Sequence, residues 1–227
     1  MPNHTANNFT IIGPLVDIHR FIKAVKSETN LDFNGIVPMP EKLRNTTSPV
    51  RVQTQAEIDE AWATWNKRKE DGELKEWELR EGKPFGLGIT VETQNALLAE
   101  CGFDNWYDWS VINWGTKWNA YDVGEWSIDE GANGHGRATI YYETAWSPVS
   151  QLWFKASLLY PTLEFFHEFA DEGGSFLGDE TISNGAVIHE NKYDWNSDEG
   201  KALREGLGRY SPDEDEDEDE DEESVEA

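Results

Sequence analysis

Arg137-Ala138-Thr139-Ile140-Tyr141-Tyr142-Glu143-Thr144 alternates apolar and polar side chains, the period-two pattern of a half-buried strand. Shortly after it, Ser147-Pro148 opens a helix that runs to about Tyr160, with Ser147 as its cap and Pro148 in its first turn. Leu152, Ala156 and Leu159 give that helix a buried stripe, and Pro161 ends it. Trp146, just before the capping serine, is placed to staple onto the helix. Leu163 to Ala170 is extended again. Strand, helix and strand in this order make half of a split βαβ motif.

The other half lies near the N-terminus. Asn7 to Pro14 reads as a short strand stopped by Gly13-Pro14, and Ile18, Phe21, Ile22 and Val25 recur at helical spacing over Val16 to Lys26. Phe33 to Pro40 is extended, since its prolines prevent helix, and serves as the second strand. Between the halves, Gln55 to Arg80 is charged with Ile58, Ala61, Trp62 and Trp65 on one stripe. Thr90 to Cys101 forms another helix stopped by Gly102. The expected fold is α+β: a ferredoxin-like split βαβ sandwich, an antiparallel sheet with two packed helices, over residues 1–208. It carries a helical insertion at about 45–103. Glu125 to Asp129 reads as a further strand and Gly131 to Gly136 as a turn. Ser175–Leu177 and Ala186–His189 read as short strands, and Asn196 to Leu207 as a weak helix.

Charge is the loudest compositional signal: 45 acids against 19 bases in 227 residues, a net of −26. Twelve of the acids lie between Asp213 and Glu226; removing them leaves 33 against 19, so the body is acidic in its own right at about −14. Residues 209–227 read as a disordered acidic tail, because the run repels itself and has nothing to bury. A broad basic face for nucleic acid is absent from this composition, which argues against direct nucleic-acid binding and favours a basic host protein as partner. Single Cys101, no secretory signal and no apolar run of about 18 residues point to a cytoplasmic protein that meets no membrane.

Eleven tryptophans mark a packed domain. Trp114-Gly115-Thr116-Lys117-Trp118 puts two flat side chains about one helical turn apart around a lone cation. One reading is a stacking platform of Trp114, Thr116, Lys117 and Trp118, joined by Trp146. The other is a core plug of both indoles, with Lys117 paired to an acid such as Asp122. Asp171-Glu172 is a candidate acid pair, but neighbours on a strand point to opposite faces, so turn formation and solvation compete with a shared site. The five histidines lack metal-ligand spacing, and no nucleophile elbow, phosphate loop or dinucleotide fingerprint appears. The expectation is a non-catalytic protein without metal or cofactor.

Five blocks then carry a resemblance. They are Met1-Pro2-Asn3 leading to Asn8-Phe9-Thr10-Ile11-Ile12-Gly13; Ile36-Val37-Pro38-Met39-Pro40; Trp114-Gly115-Thr116-Lys117-Trp118-Asn119-Ala120; Thr144-Ala145-Trp146-Ser147-Pro148; and Asp171-Glu172-Gly173 with Phe176-Leu177-Gly178. In this order they resemble the YubB-type ferredoxin-like family of plasmid and bacteriophage proteins, over roughly residues 1–190 without much of 45–103. That family usually has Trp-Cys after Met-Pro-Asn, where this chain has His4-Thr5. The resemblance implies a fold and a mobile-element origin, with no established catalysis. With the charge, it leads to an expected binding protein, a DNA-mimic-like inhibitor of a host nucleic-acid-binding or defence protein. Two alternatives stand beside it: a nucleic-acid or nucleotide binder using a Trp-rich surface, and a domain whose acidity serves only solubility or salt.

Overall fold

The computed structural model describes residues 3–208, so the tail expected at 209–227 lies outside the described residues. In chain order the elements are β1 (His4–Pro14), α1 (Leu15–Val25), α2 (Glu41–Arg44), α3 (Gln55–Glu70), α4 (Glu76–Glu81), α5 (Val91–Cys101) and α6 (Trp106–Asn113). They continue with β2 (Ser127–Glu130), β3 (His135–Ala145), α7 (Ser150–Leu159), β4 (Glu164–Asp171), β5 (Leu177–Ser183), β6 (Ala186–Lys192) and α8 (Asp198–Gly206). The described residues form two compact units: 3–38 with 111–208, and Met39–Ser110, which contains the 45–103 stretch.

The first unit is built on one six-stranded sheet in the order β2-β3-β1-β4-β5-β6, every neighbouring pair antiparallel. The first four strands with α1 and α7 are the expected ferredoxin-like α+β sandwich; β5 and β6 extend it beyond β4. One strand differs from expectation. Phe33–Gly35 is a single 3-10 turn, capped by Asp32, whose carboxylate accepts from the Asn34 N–H at 2.8 Å. Pro38 and Pro40 also lack the N–H groups a ladder needs. The second strand of the motif is instead β2, paired with β3 through Ser127↔Thr139. The stretch expected as an insertion therefore lies, in chain order, between α1 and β2.

Alternation along β1 divides the sheet faces. Asn7, Phe9 and Ile11 face the helices, and Ala6 and Thr10 the opposite side. Phe9 stacks on Trp153 of α7 at 3.9 Å and meets Phe21 of α1 at 6.2 Å, and all three are fully buried. Burial of each such ring stabilises by about 1.5–3 kcal/mol. Ile18, Phe21 and Val25 line the buried stripe of α1. The register Phe9↔Ile140 and Phe9↔His167 brings β3 and β4 into the same layer. There Asn7 donates through its amide nitrogen to Thr5 O at 2.7 Å and Thr144 Oγ1 at 3.0 Å. Its oxygen therefore faces His167 Nε2 at 2.9 Å, and that nitrogen carries the hydrogen; His167 Nδ1 lies 2.9 Å from Glu180. Burial pushes the Tyr142 phenol beside them well above its ordinary pKa.

The opposite face is partly covered by α8. Ser197 caps that helix by accepting from the Gly200 N–H at 3.0 Å. Leu207 and Leu203 close over Ala6, Ala170 and Leu177. Arg204 stacks on Trp195 at 4.4 Å.

The second unit consists of helices with strong local signals. Thr54 and Glu57 form a reciprocal capping box on α3, Thr90 caps α5, and Gly102 ends α5 in the left-handed region at φ 74°. Arg68 of α3 grips both carboxylate oxygens of Glu78 in α4, at 2.7 and 3.0 Å.

Candidate functional site

The segment Trp114–Ala120 follows α6 as an irregular loop whose alternate residues are anchored. Trp114 is buried, donates its indole N–H to Val37 O at 2.8 Å and meets Phe33 edge-on. Gly115 takes φ 87°, and a Cβ there would come within 2.8 Å of the Gln151 side chain. Thr116 is buried and donates to Ala145 O at 2.8 Å. Asn119 accepts from Phe33 N–H at 2.9 Å and donates to Asp32 at 2.7 Å. Burial pushes the Asp32 carboxyl up, but hydrogen bonds from Asn34 and Asn119 outweigh it and hold the pKa below the ordinary value. Between these anchors Lys117 is half-buried and Trp118 exposed, at the tip of a loop fixed on both sides.

That tip meets the turn after β3. The Lys117 ammonium lies 4.4 Å from the Trp118 ring centre and 4.8 Å from that of Trp146, which are 39% and 42% exposed. Trp146 sits at φ 74°, an uncommon conformation for a bulky residue, with its N–H donated to Asn3 O at 2.9 Å. Tyr121 packs edge-on against Trp118 at 6.3 Å and donates to Thr144 O at 3.0 Å. With its one proton used there, the 2.7 Å contact to His4 requires that His4 Nδ1 be the donor. The same Nδ1 is 3.3 Å from Glu143, and the His4 backbone N–H donates to Glu172 at 2.6 Å. The result is an exposed pair of indoles around one cation, with Tyr121 and His4 behind Trp118 and Glu143 and Glu172 held on His4.

The structure separates the expected site residues. Lys117, Trp118 and Trp146 come together, with Glu172 alongside through His4. Trp114 and Thr116 belong to the core, so the expected platform of Trp114 with Trp118 does not form. Asp171 is buried and its Oδ2 accepts from Ser175 N–H at 3.1 Å, whereas Glu172 is exposed, so the adjacent acids share no site. Ser147 is not the helix cap: its hydroxyl donates to Gly115 O, and α7 begins at Ser150 after Val149. Trp146 is consequently no staple but turns outward to Lys117. His4, Tyr121 and Glu143 were not singled out in the sequence. The one signal pointing to them is the His4-Thr5 departure from Trp-Cys.

In the second unit, Trp77 and Phe85 meet edge-on at 5.8 Å in a groove of about 650 Å³ that also includes Arg51 and Lys83. Among the described residues, no group of three or more His, Cys, Asp or Glu side chains is placed to hold a metal ion. None of their helices is long and apolar enough to cross a membrane.

Residues 113–226 match the family model of the ferredoxin-like domain in Api92-like proteins. Among solved structures, the crystal structure of the protein api92 from Yersinia pseudotuberculosis is similar over 85% of this chain and 98% of that one, with 9% identity and a TM-score of 0.44. No curated protein matches the chain.

Proposed function

We propose that this chain, which belongs to the Api92-like family through its ferredoxin-like domain, is a non-catalytic binding protein that engages a basic host protein. The observation that carries the reading is the exposed Trp118–Trp146 cleft with a cation held by both rings, on a chain whose neighbouring His4 carries Glu143 and Glu172. Exposed tryptophan supplies contact area at hot spots, and the surrounding negative charge steers a basic partner. The net charge of −26 supports the same direction. From the YubB-type resemblance we further assign the protein to a plasmid or bacteriophage acting in the host cytoplasm. Its acidity then serves as DNA mimicry against a host defence or nucleic-acid-binding protein, with carboxylates standing for phosphates.

The test is capture from host lysate at low salt. The expected result is a basic protein that is released by rising salt and by duplex DNA, and that the Trp118→Ala/Trp146→Ala protein retains poorly. Recovery of nothing basic rejects the reading. A captured protein that duplex DNA fails to displace rejects the mimicry alone. Unfolding of the protein below molar KCl would instead assign the acidity to salt adaptation.

A second reading rests on the same exposed indoles, which suit stacking of nucleic-acid bases beside Lys117. Fluorescence quenching by single-stranded oligonucleotides, in the full chain and in one ending at Tyr210, would favour it. The acidic flank opposes it, since phosphate is repelled there.

A further inference from the structure

We propose that the Trp118–Trp146 cleft is a receptor for a side-chain cation, and that Lys117 fills it in the free protein as an internal stand-in for an arginine of the partner. The inference rests on the binding role above and names the chemistry that the site recognises.

The geometry supplies the ligand class. The Lys117 ammonium is within 5 Å of both ring centres, inside the roughly 6 Å over which an indole face attracts a cation. A cleft that already holds one cation between two indoles is built for that charge. Glu143 and Glu172 both meet His4, whose ring packs on the Tyr121 that backs Trp118, so the charge of the neighbouring segments is negative. Phosphate or carboxylate would meet the opposite field. Guanidinium suits two indole faces better than ammonium, because it is planar, less strongly hydrated and able to stack. Lys117 is the residue type that can leave, as its four-carbon stem is flexible and its charge is readily hydrated outside.

The backbone supplies an independent reason to read the cleft as functional. Trp146 is held in the left-handed region, where a bulky residue is strained. Yet its ring remains 42% exposed, so core burial is not what the strain secures. What the conformation achieves is the position of the indole opposite Trp118.

The probe is an octa-arginine peptide, titrated into the full chain at physiological salt while the indole N–H signals of Trp118 and Trp146 are followed by NMR. Any contribution of the acidic terminus is common to wild type and variants and cancels between them. Both signals are expected to shift. Lys117→Ala should tighten binding by about two- to five-fold, since the peptide no longer competes with an internal cation. Trp118→Leu and Trp146→Gly should each weaken it by about five-fold or more in proteins whose thermal unfolding stays cooperative. Weaker or unchanged binding of Lys117→Ala overturns the stand-in role. Wild-type affinity in both tryptophan variants overturns the cleft while leaving charge-driven binding of a basic partner intact. Failure of the wild type to bind any basic probe instead rejects the binding role itself.

Discussion

Trp146 donates its backbone N–H to the Asn3 carbonyl at 2.9 Å, and this bond ties a left-handed tryptophan at φ 74° to the start of the first strand. Glycine adopts that conformation without a Cβ penalty, whereas alanine keeps the penalty and loses the ring. Trp146→Gly should therefore be more stable than Trp146→Ala by about 1 kcal/mol. Chemical denaturation of the two variants checks this; equal stabilities would mean that the turn relaxes out of the left-handed region.

Thr5 Oγ1 is fully buried and has no hydrogen-bond partner among the described residues, and neither does Oδ1 of its cross-strand neighbour Asp171. Replacing the hydroxyl by a methyl of the same shape removes an unpaired polar group. Thr5→Val should stabilise by about 1 kcal/mol, read as a rise in thermal midpoint. A fall in midpoint would show that the hydroxyl has a partner such as a bound water.

His167 lies buried between Asn7 and Glu180, each at 2.9 Å. Glu180→Ala leaves His167 Nδ1 without its hydrogen-bond partner and opens a cavity, and should destabilise by about 3 kcal/mol. Removing both partners is less damaging than the sum of the parts. In a double-mutant cycle, His167→Leu with Glu180→Leu should show a coupling above about 1 kcal/mol. Strict additivity would mean the two side chains act independently.

Arg68 holds the Glu78 carboxyl below its ordinary pKa, through its side-chain bonds first and then with the Lys75 backbone N–H. A carboxylate depressed on folding adds stability that is fully present above its unfolded-state pKa, near 4.3. That stability is lost as pH falls through the folded value. Glu78→Gln should therefore unfold at lower temperature than wild type at pH 7, with the gap closing as the pH drops below 4. A gap independent of pH would assign the effect to packing.

Much of the chain was legible without tertiary information because its signals are local. Period-two alternation marked β3, 3.6-residue spacing marked α1, and Thr90 and Gly102 bounded α5. The misplaced second strand shows the limit. Phe33–Pro40 and Ser127–Glu130 are both short, and only the latter pairs with β3. The helix start at Ser147-Pro148 failed for a related reason, since Gly115, remote in sequence, takes the serine's hydroxyl.

By itself the sequence determined an acidic, Trp-rich α+β chain and singled out Trp114, Thr116, Lys117, Trp118, Trp146, Asp171 and Glu172 as residues of interest. Composition and periodicity need no partner to be read. Which tryptophan is core and which is surface was decided only by tertiary structure, because Trp114 and Trp118 are the same residue type four positions apart. The Asn119–Asp32 bond spans 87 positions, and the Trp146 turn is pinned to Asn3; together they orient Trp118 and Trp146 around Lys117. His4 reaches Tyr121 across 117 positions for the same reason. A cleft made of such distant segments exists only once the sheet has brought its strands into register.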